Sequence, residues 1–221
     1  MPHYYLNTYA PLVTSSAGRL ACQEYDIPPF VDGSIRREPD LEHEYPAISC
    51  LCRGDKFAPR LEVGDTVAYL TRKARFGTGK SQRRLTAVLQ VQTVLVSHED
   101  GSNWYRDQDL DLPSNCMVRG NEHEPLVRSH RQHVDSKKLS DEKLSRRWDG
   151  QYRVRASRYG SFVVCDVLFR DLSWEAPVVN DDKLVKAFGR IPGTQNPGSL
   201  PQGEFLLLLG LLGISVPPCA R

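Results

Sequence analysis

The hydrophobic positions of this 221-residue chain fall in short runs, several with the two-residue period of half-buried strands, separated by polar turn-forming clusters. The clearest run is 85–97 (LTAVLQVQTVLVS), β-branched and partly alternating, ended by the polar HEDGSN at 98–103. After a turn at Val63, Gly64 and Asp65, the pattern sets Val67, Tyr69 and Thr71 against Ala68 and Leu70, again a strand. Residues 161–172 alternate around Val163, Cys165, Val167 and Phe169. Shorter strands are predicted at 3–6 with 9–13, and at 47–52. Helical signals are fewer. A serine before acids predicts a short helix from Ser140, and 181–188 reads as a small amphipathic helix closed by Gly189. A last core helix over 204–212 is stopped by Pro217 and Pro218. The pattern at 19–30 is weak, with Pro28 and Pro29 barring any helix through them, and 104–113 is mixed. Five or six strands with two or three short helices predict an α+β fold, most simply a small barrel with insertions.

Length favours one domain, 1–221, with an insertion around 119–158. The net charge of +2 is uninformative, but it hides a local excess: 119–158 holds eleven Lys or Arg against six Asp or Glu. Cysteines at 22, 50, 52, 116, 165 and 219 lack the dense spacing of a disulfide scaffold, so reduced, mostly buried thiols in a cytoplasmic protein are expected. The opening MPHYYLNTYAP has no charged segment followed by an apolar one, so no signal peptide is expected. The longest apolar run, 205–216, falls short of the roughly 20 residues that span a bilayer, and no membrane partner is expected.

Candidate chemistry narrows by elimination. Cys50 and Cys52 are one residue apart, and Cys116, His123, His130 and His133 have no paired cysteines beside them, which is not the spacing of a zinc site. No metal or cofactor is expected. The GTGKS at 77–81 lacks the first glycine of a phosphate loop and precedes a strand rather than a helix. Its glycines beside Lys80, Arg83 and Arg84 keep it as a phosphate-contacting loop. No GxSxG elbow is present, although Glu38, Lys56 and Thr71 would make a small acid–base cluster if the strands brought them together. The polar loop DGSIRREPD at 32–40 sets Arg36 and Arg37 beside Glu38 and Asp40, as base or phosphate readers or as ion-pair partners. Basic stretches at 72–84 and 146–158 are interleaved with Phe76, Trp148, Tyr152, Tyr159 and Phe162. Charge for phosphates and rings for splayed bases suit a nucleic acid.

The strand entry LEVGDTVAYLT resembles that of the PUA-like superfamily, which includes ASCH, EVE and YTH domains. The ordered set YYLNTYAP, DGSIRREPD, ISCLCR, KFAPRLEVGD and FRDL with FGRIPGTQNP is similar to nucleotide-modification-associated domains of that kind. The resemblance implies a PUA-like β-barrel with short flanking helices and a basic insertion. It further implies recognition of a modified or flipped base in DNA or RNA, where the pocket must return the few kcal/mol of stacking lost on flipping. On that reading Arg36 and Arg37 contact phosphate or a base edge. Arg72, Lys73 and Arg75 hold the backbone, Arg53, Lys56 and Lys80 are further nucleic-acid-binding residues, and Gln195 and Asn196 read a base by their amides. Two alternatives remain: a nuclease or nucleoside hydrolase of the same fold with Glu38 and Lys56 as acid and base, and a non-catalytic protein-interaction module.

Overall fold

The computed structural model describes residues 1–77, 79–121, 141–194 and 196–216. Its frame is a curled mixed sheet, a half-barrel, of β1 (Tyr4–Tyr9), β2 (Ala47–Ser49), β3 (Thr66–Thr71), β5 (Ser81–Leu95) and β6 (Phe162–Arg170) in the order β1-β3-β5-β6-β2. Two short strands, β4 (Ala74–Arg75) and β7 (Val178–Val179), pair with the start of β5. Among the described residues only β1 and β3 run parallel, in register from Tyr4 opposite Thr66 to Tyr9 opposite Thr71. Parallel neighbours need a crossover. Here it is the whole of 10–65, and that crossover carries the site.

The curl has local causes. Register shifts fall between Tyr69 and Leu70, Val88 and Leu89, and Val91 and Thr93, and each bulge bends its strand and raises its twist. Alternation then sorts the side chains. Tyr5, Tyr9, Val67, Tyr69, Ala87, Leu89, Val163 and Cys165 fill the concave side. Tyr4, Leu6, Ala68, Leu70, Leu85 and Val88 point outward and are covered by two helices, Asp181–Phe188 and Gln202–Leu211. Phe162 and Val164 point outward further along, onto a helix at His98–Asp107.

In chain order the α-helices among the described residues are α1 (Ser16–Tyr25), α2 (His98–Asp107), α3 (Asp141–Arg158), α4 (Asp181–Phe188) and α5 (Gln202–Leu211). The helix predicted at 181–188 is present with those bounds, capped by the Asn180 side chain and ended by Gly189 at φ 66°. Two helices break the sequence expectation. α1 occupies a stretch read as loop and weak pattern; Ser15 caps it by accepting from Gly18 N at 2.9 Å, and it ends before the two prolines. α2 begins where a turn was expected after β5, because Ser97 accepts from Asp100 N at 3.0 Å and Glu99 and Asp100 sit in the first turn. The helix expected to be short near Ser140 runs 18 residues as α3, so the basic stretch at 146–158 is helix and not loop.

The glycine–aspartate turn does structural work at the crossover's end. Gly64 has φ 90°, a conformation that favours glycine. Asp65 accepts from His3 N at 2.7 Å and from Glu62 N at 3.0 Å, tying the entry to β3 onto the start of β1. The far seam of the half-barrel, between β1 and the chain leaving β2, is bridged by Arg53 donating through Nη2 to the Thr8 carbonyl.

Candidate functional site

The site begins with the carboxylate of Asp32. Its Oδ1 accepts from Ser34 N at 2.8 Å, from the Ser34 hydroxyl, and from Glu38 N at 3.1 Å, folding 32–38 into a closed loop. This is what an aspartate two residues before a serine does in a turn. Arg37 takes φ 46° inside that loop, a left-handed conformation unusual for a side-chain-bearing residue. It is held there by its amide on Ser34 O at 3.2 Å and by Nη1 on Asp32 O at 2.6 Å.

The loop delivers a second carboxylate. Glu38 Oε1 accepts from Ser49 N at 2.7 Å, and Oε2 accepts from Ser49 Oγ at 2.5 Å and Asn115 Nδ2 at 2.8 Å. The same Asn115 amide nitrogen donates to Ala47 O at 2.7 Å, which fixes the orientation of that amide. Burial pushes the Glu38 carboxyl up to about 7 against these hydrogen bonds, with Asp32 adding in the same direction. Burial also raises Asp32, opposed by the Ser34 and Glu38 donors and by Arg37.

Both carboxyls line an open cleft of about 770 Å3 at the mouth of the half-barrel, a volume within the usual range for small-molecule sites. One wall is the end of β1 and the residues after it, Thr8 to Leu12. Arg53, Lys56, Arg72 and Asn196 form the rim. Among the described residues the Lys56 ammonium and Arg72 guanidinium have no hydrogen-bond or ion-pair partner, and both are exposed. Asn196 arrives because the late loop is pinned to the same edge, through Thr194 and Thr8 hydroxyls 2.8 Å apart and Arg60 Nη2 on Pro197 O at 2.8 Å. The Tyr152 hydroxyl of α3 is pushed up by burial first and then by Cys52 and Asp32, although α3 itself does not line the cleft. A positive rim therefore stands over an acidic floor.

The remaining sequence candidates go elsewhere. Arg36 is wholly buried; Nε and Nη2 hold Asp149 of α3 at 2.9 and 2.7 Å, and Nη1 holds Ser114 O and Asn121 O at 3.1 and 3.0 Å. With its guanidinium enclosed, the phosphate or base-edge contact expected of it has no geometric basis. Arg37 is also buried and away from the cleft lining. Lys73 pairs at the surface with Asp181, 2.5 Å away, beside Arg83 at 2.7 Å. Arg75 and Lys80 are exposed on the β4–β5 hairpin, and neither lines the cleft. Gln195, His123, His130 and His133 lie outside the described residues. Of the acid–base trio, Glu38 and Lys56 share the cleft, whereas Thr71 is buried and accepts from Arg84 N at 2.9 Å. Neither Phe76 nor Phe162 is available for stacking, since both are in the core.

Sequence reasoning missed Asp32, Ser34 and Cys52 as site residues. The D-x-S spacing was the available signal for the first two. The five described cysteines are free thiols, and among the described residues no group of His, Cys, Asp or Glu is placed to hold a metal. No described helix is long and apolar enough to cross a membrane. No protein-family model matches the chain, and no curated protein matches it.

Proposed function

We propose that this chain is a PUA-like, cytoplasmic domain that binds nucleic acid, DNA or RNA, through the cleft at the mouth of its half-barrel, with one base taken out of the stack and into it. The observation that carries this reading is the meeting of Arg53, Lys56, Arg72 and Asn196 on one rim, over a concavity of about 770 Å3. Those residues come from three separate stretches of sequence, and two of the cations have no partner among the described residues. Unpartnered cations around a hollow suit a polyanion whose phosphates stay outside while a heterocycle enters. The Gly64–Asp65 entry to β3 and the curl of the sheet support the PUA-like reading.

The test is binding of labelled single-stranded DNA and RNA across salt. Affinity should fall steeply between 50 and 200 mM salt, and Lys56→Ala and Arg72→Ala should each lower the log–log slope by about 0.7. Salt-independent binding, or slopes untouched by both variants, would overturn the proposal. A second reading, an enzyme of the same fold acting on modified nucleosides, is favoured by the sharing of one cleft by Lys56 and Glu38, whose carboxyl burial pushes up to about 7. Turnover of modified oligonucleotides lost in Glu38→Gln would establish it.

A further inference from the structure

The floor of the cleft differs chemically from its rim. Asp32 is 5 % exposed, and its three hydrogen bonds all fall on Oδ1. Oδ2 accepts no hydrogen bond among the described residues, yet Asp32 lines the cleft. Oδ2 is not enclosed, so this unbonded carboxylate oxygen is open to a donor carried by whatever occupies the cleft. Beside it stands Glu38, whose Oε1 accepts a single hydrogen bond and so retains a lone pair. The floor is thus a small field of acceptors.

We infer that the cleft selects heterocycles carrying an exocyclic amine, of the cytosine, adenine or guanine kind, over their keto counterparts, with the amine donating to Asp32 Oδ2. The inference rests on the nucleic-acid reading above. The rim supplies donors and positive charge, so phosphates stay there and the base edge faces inward. An amine on that edge gives its hydrogens to Asp32, the contact by which acidic side chains read cytosine N4 in a groove. The imide N–H of uracil or thymine cannot substitute well, because a carbonyl oxygen flanks it on each side and an acceptor floor repels both.

The geometry also predicts how to invert the preference. In Asp32→Asn the amide oxygen must keep accepting from Ser34 N and Glu38 N, because the alternative rotamer sets an NH2 against two amide donors. The new NH2 is therefore turned into the cleft, where it favours a keto oxygen.

The experiment uses labelled nonanucleotides with abasic sugars at eight positions and one test base in the middle, at pH 7.5 and 50 mM salt. Cytosine is compared with uracil and adenine with hypoxanthine, since each pair differs by amine against carbonyl. The full chain should bind the amino member about tenfold or more tightly in both pairs, and Asp32→Asn, checked by thermal melting, should reverse the order. Should the variant fail to fold, the two wild-type ratios decide alone. Binding with ratios near one, with keto preference, or with an amine preference that a folded Asp32→Asn leaves intact would overturn this inference and leave the nucleic-acid reading standing. If ordinary oligonucleotides also fail to bind, that reading falls and this inference with it.

Discussion

Arg36 and Arg37 are neighbours in sequence, and both are buried for reasons local sequence does not contain. The partner of Arg36 is Asp149, 113 residues away, in a bidentate pair with both side chains almost fully enclosed. Removing one member of such a pair strands the other charge, at a cost of about 3–5 kcal/mol. Asp149→Asn should therefore lower unfolding free energy by that amount in urea titrations, and a loss under 1 kcal/mol would contradict the enclosure. Glu38 gives a pH-dependent counterpart. An unfolded glutamate ionises near 4.5, whereas the folded carboxyl holds its proton to about 7, so between these values the native state binds more protons. Stability from this residue is full below the lower value and falls as pH rises through the window, a loss of about 2–3 kcal/mol. Wild-type stability relative to Glu38→Gln should accordingly decline by that much from pH 5 to pH 7.5. Parallel profiles for the two proteins would show that Glu38 is not the group titrating. The ionisable residues of this site could be named from sequence, but which would be enclosed and which would reach the cleft could not, because that depends on partners in α3 and the β2 edge.

Elements with a strong period were legible. β3, β5, β6 and α4 appear close to where alternation or amphipathy placed them, since burial on one face writes itself into the sequence. α1 and α2 were not. Their sequences, SAGRLACQEY and HEDGSNWYRD, each carry a glycine, the second has only two apolar residues, and the N-terminus of each is set by a single serine cap. In α2 the glycine is required: a Cβ at Gly101 would stand 2.5 Å from the Phe162 ring, so the helix lies on the sheet only because none is there. Gly160, between α3 and β6, is tighter in a less forgiving way, with a Cβ there 2.2 Å from the Val96 carbonyl oxygen. Backbone cannot step aside as a side chain can. Gly160→Ala should cost about 1–3 kcal/mol, read as a lowered urea midpoint with unchanged slope, and an unchanged midpoint would mean that α3 can shift relative to β5.

At the scale of the whole molecule, the sheet order puts the edges of β1 and β2 on either side of one seam, and the crossover 10–65 fills the space between. An α+β fold with a barrel-like sheet was legible from strand count and turn spacing. That the sheet would stop at half a barrel was not, since it depends on β2 being three residues long. The seam is spanned by a side chain that also forms part of the cleft rim, Arg53. Filling the hollow and fastening the two margins therefore call on the same guanidinium, and an anion in the cleft competes for it directly with the Thr8 carbonyl.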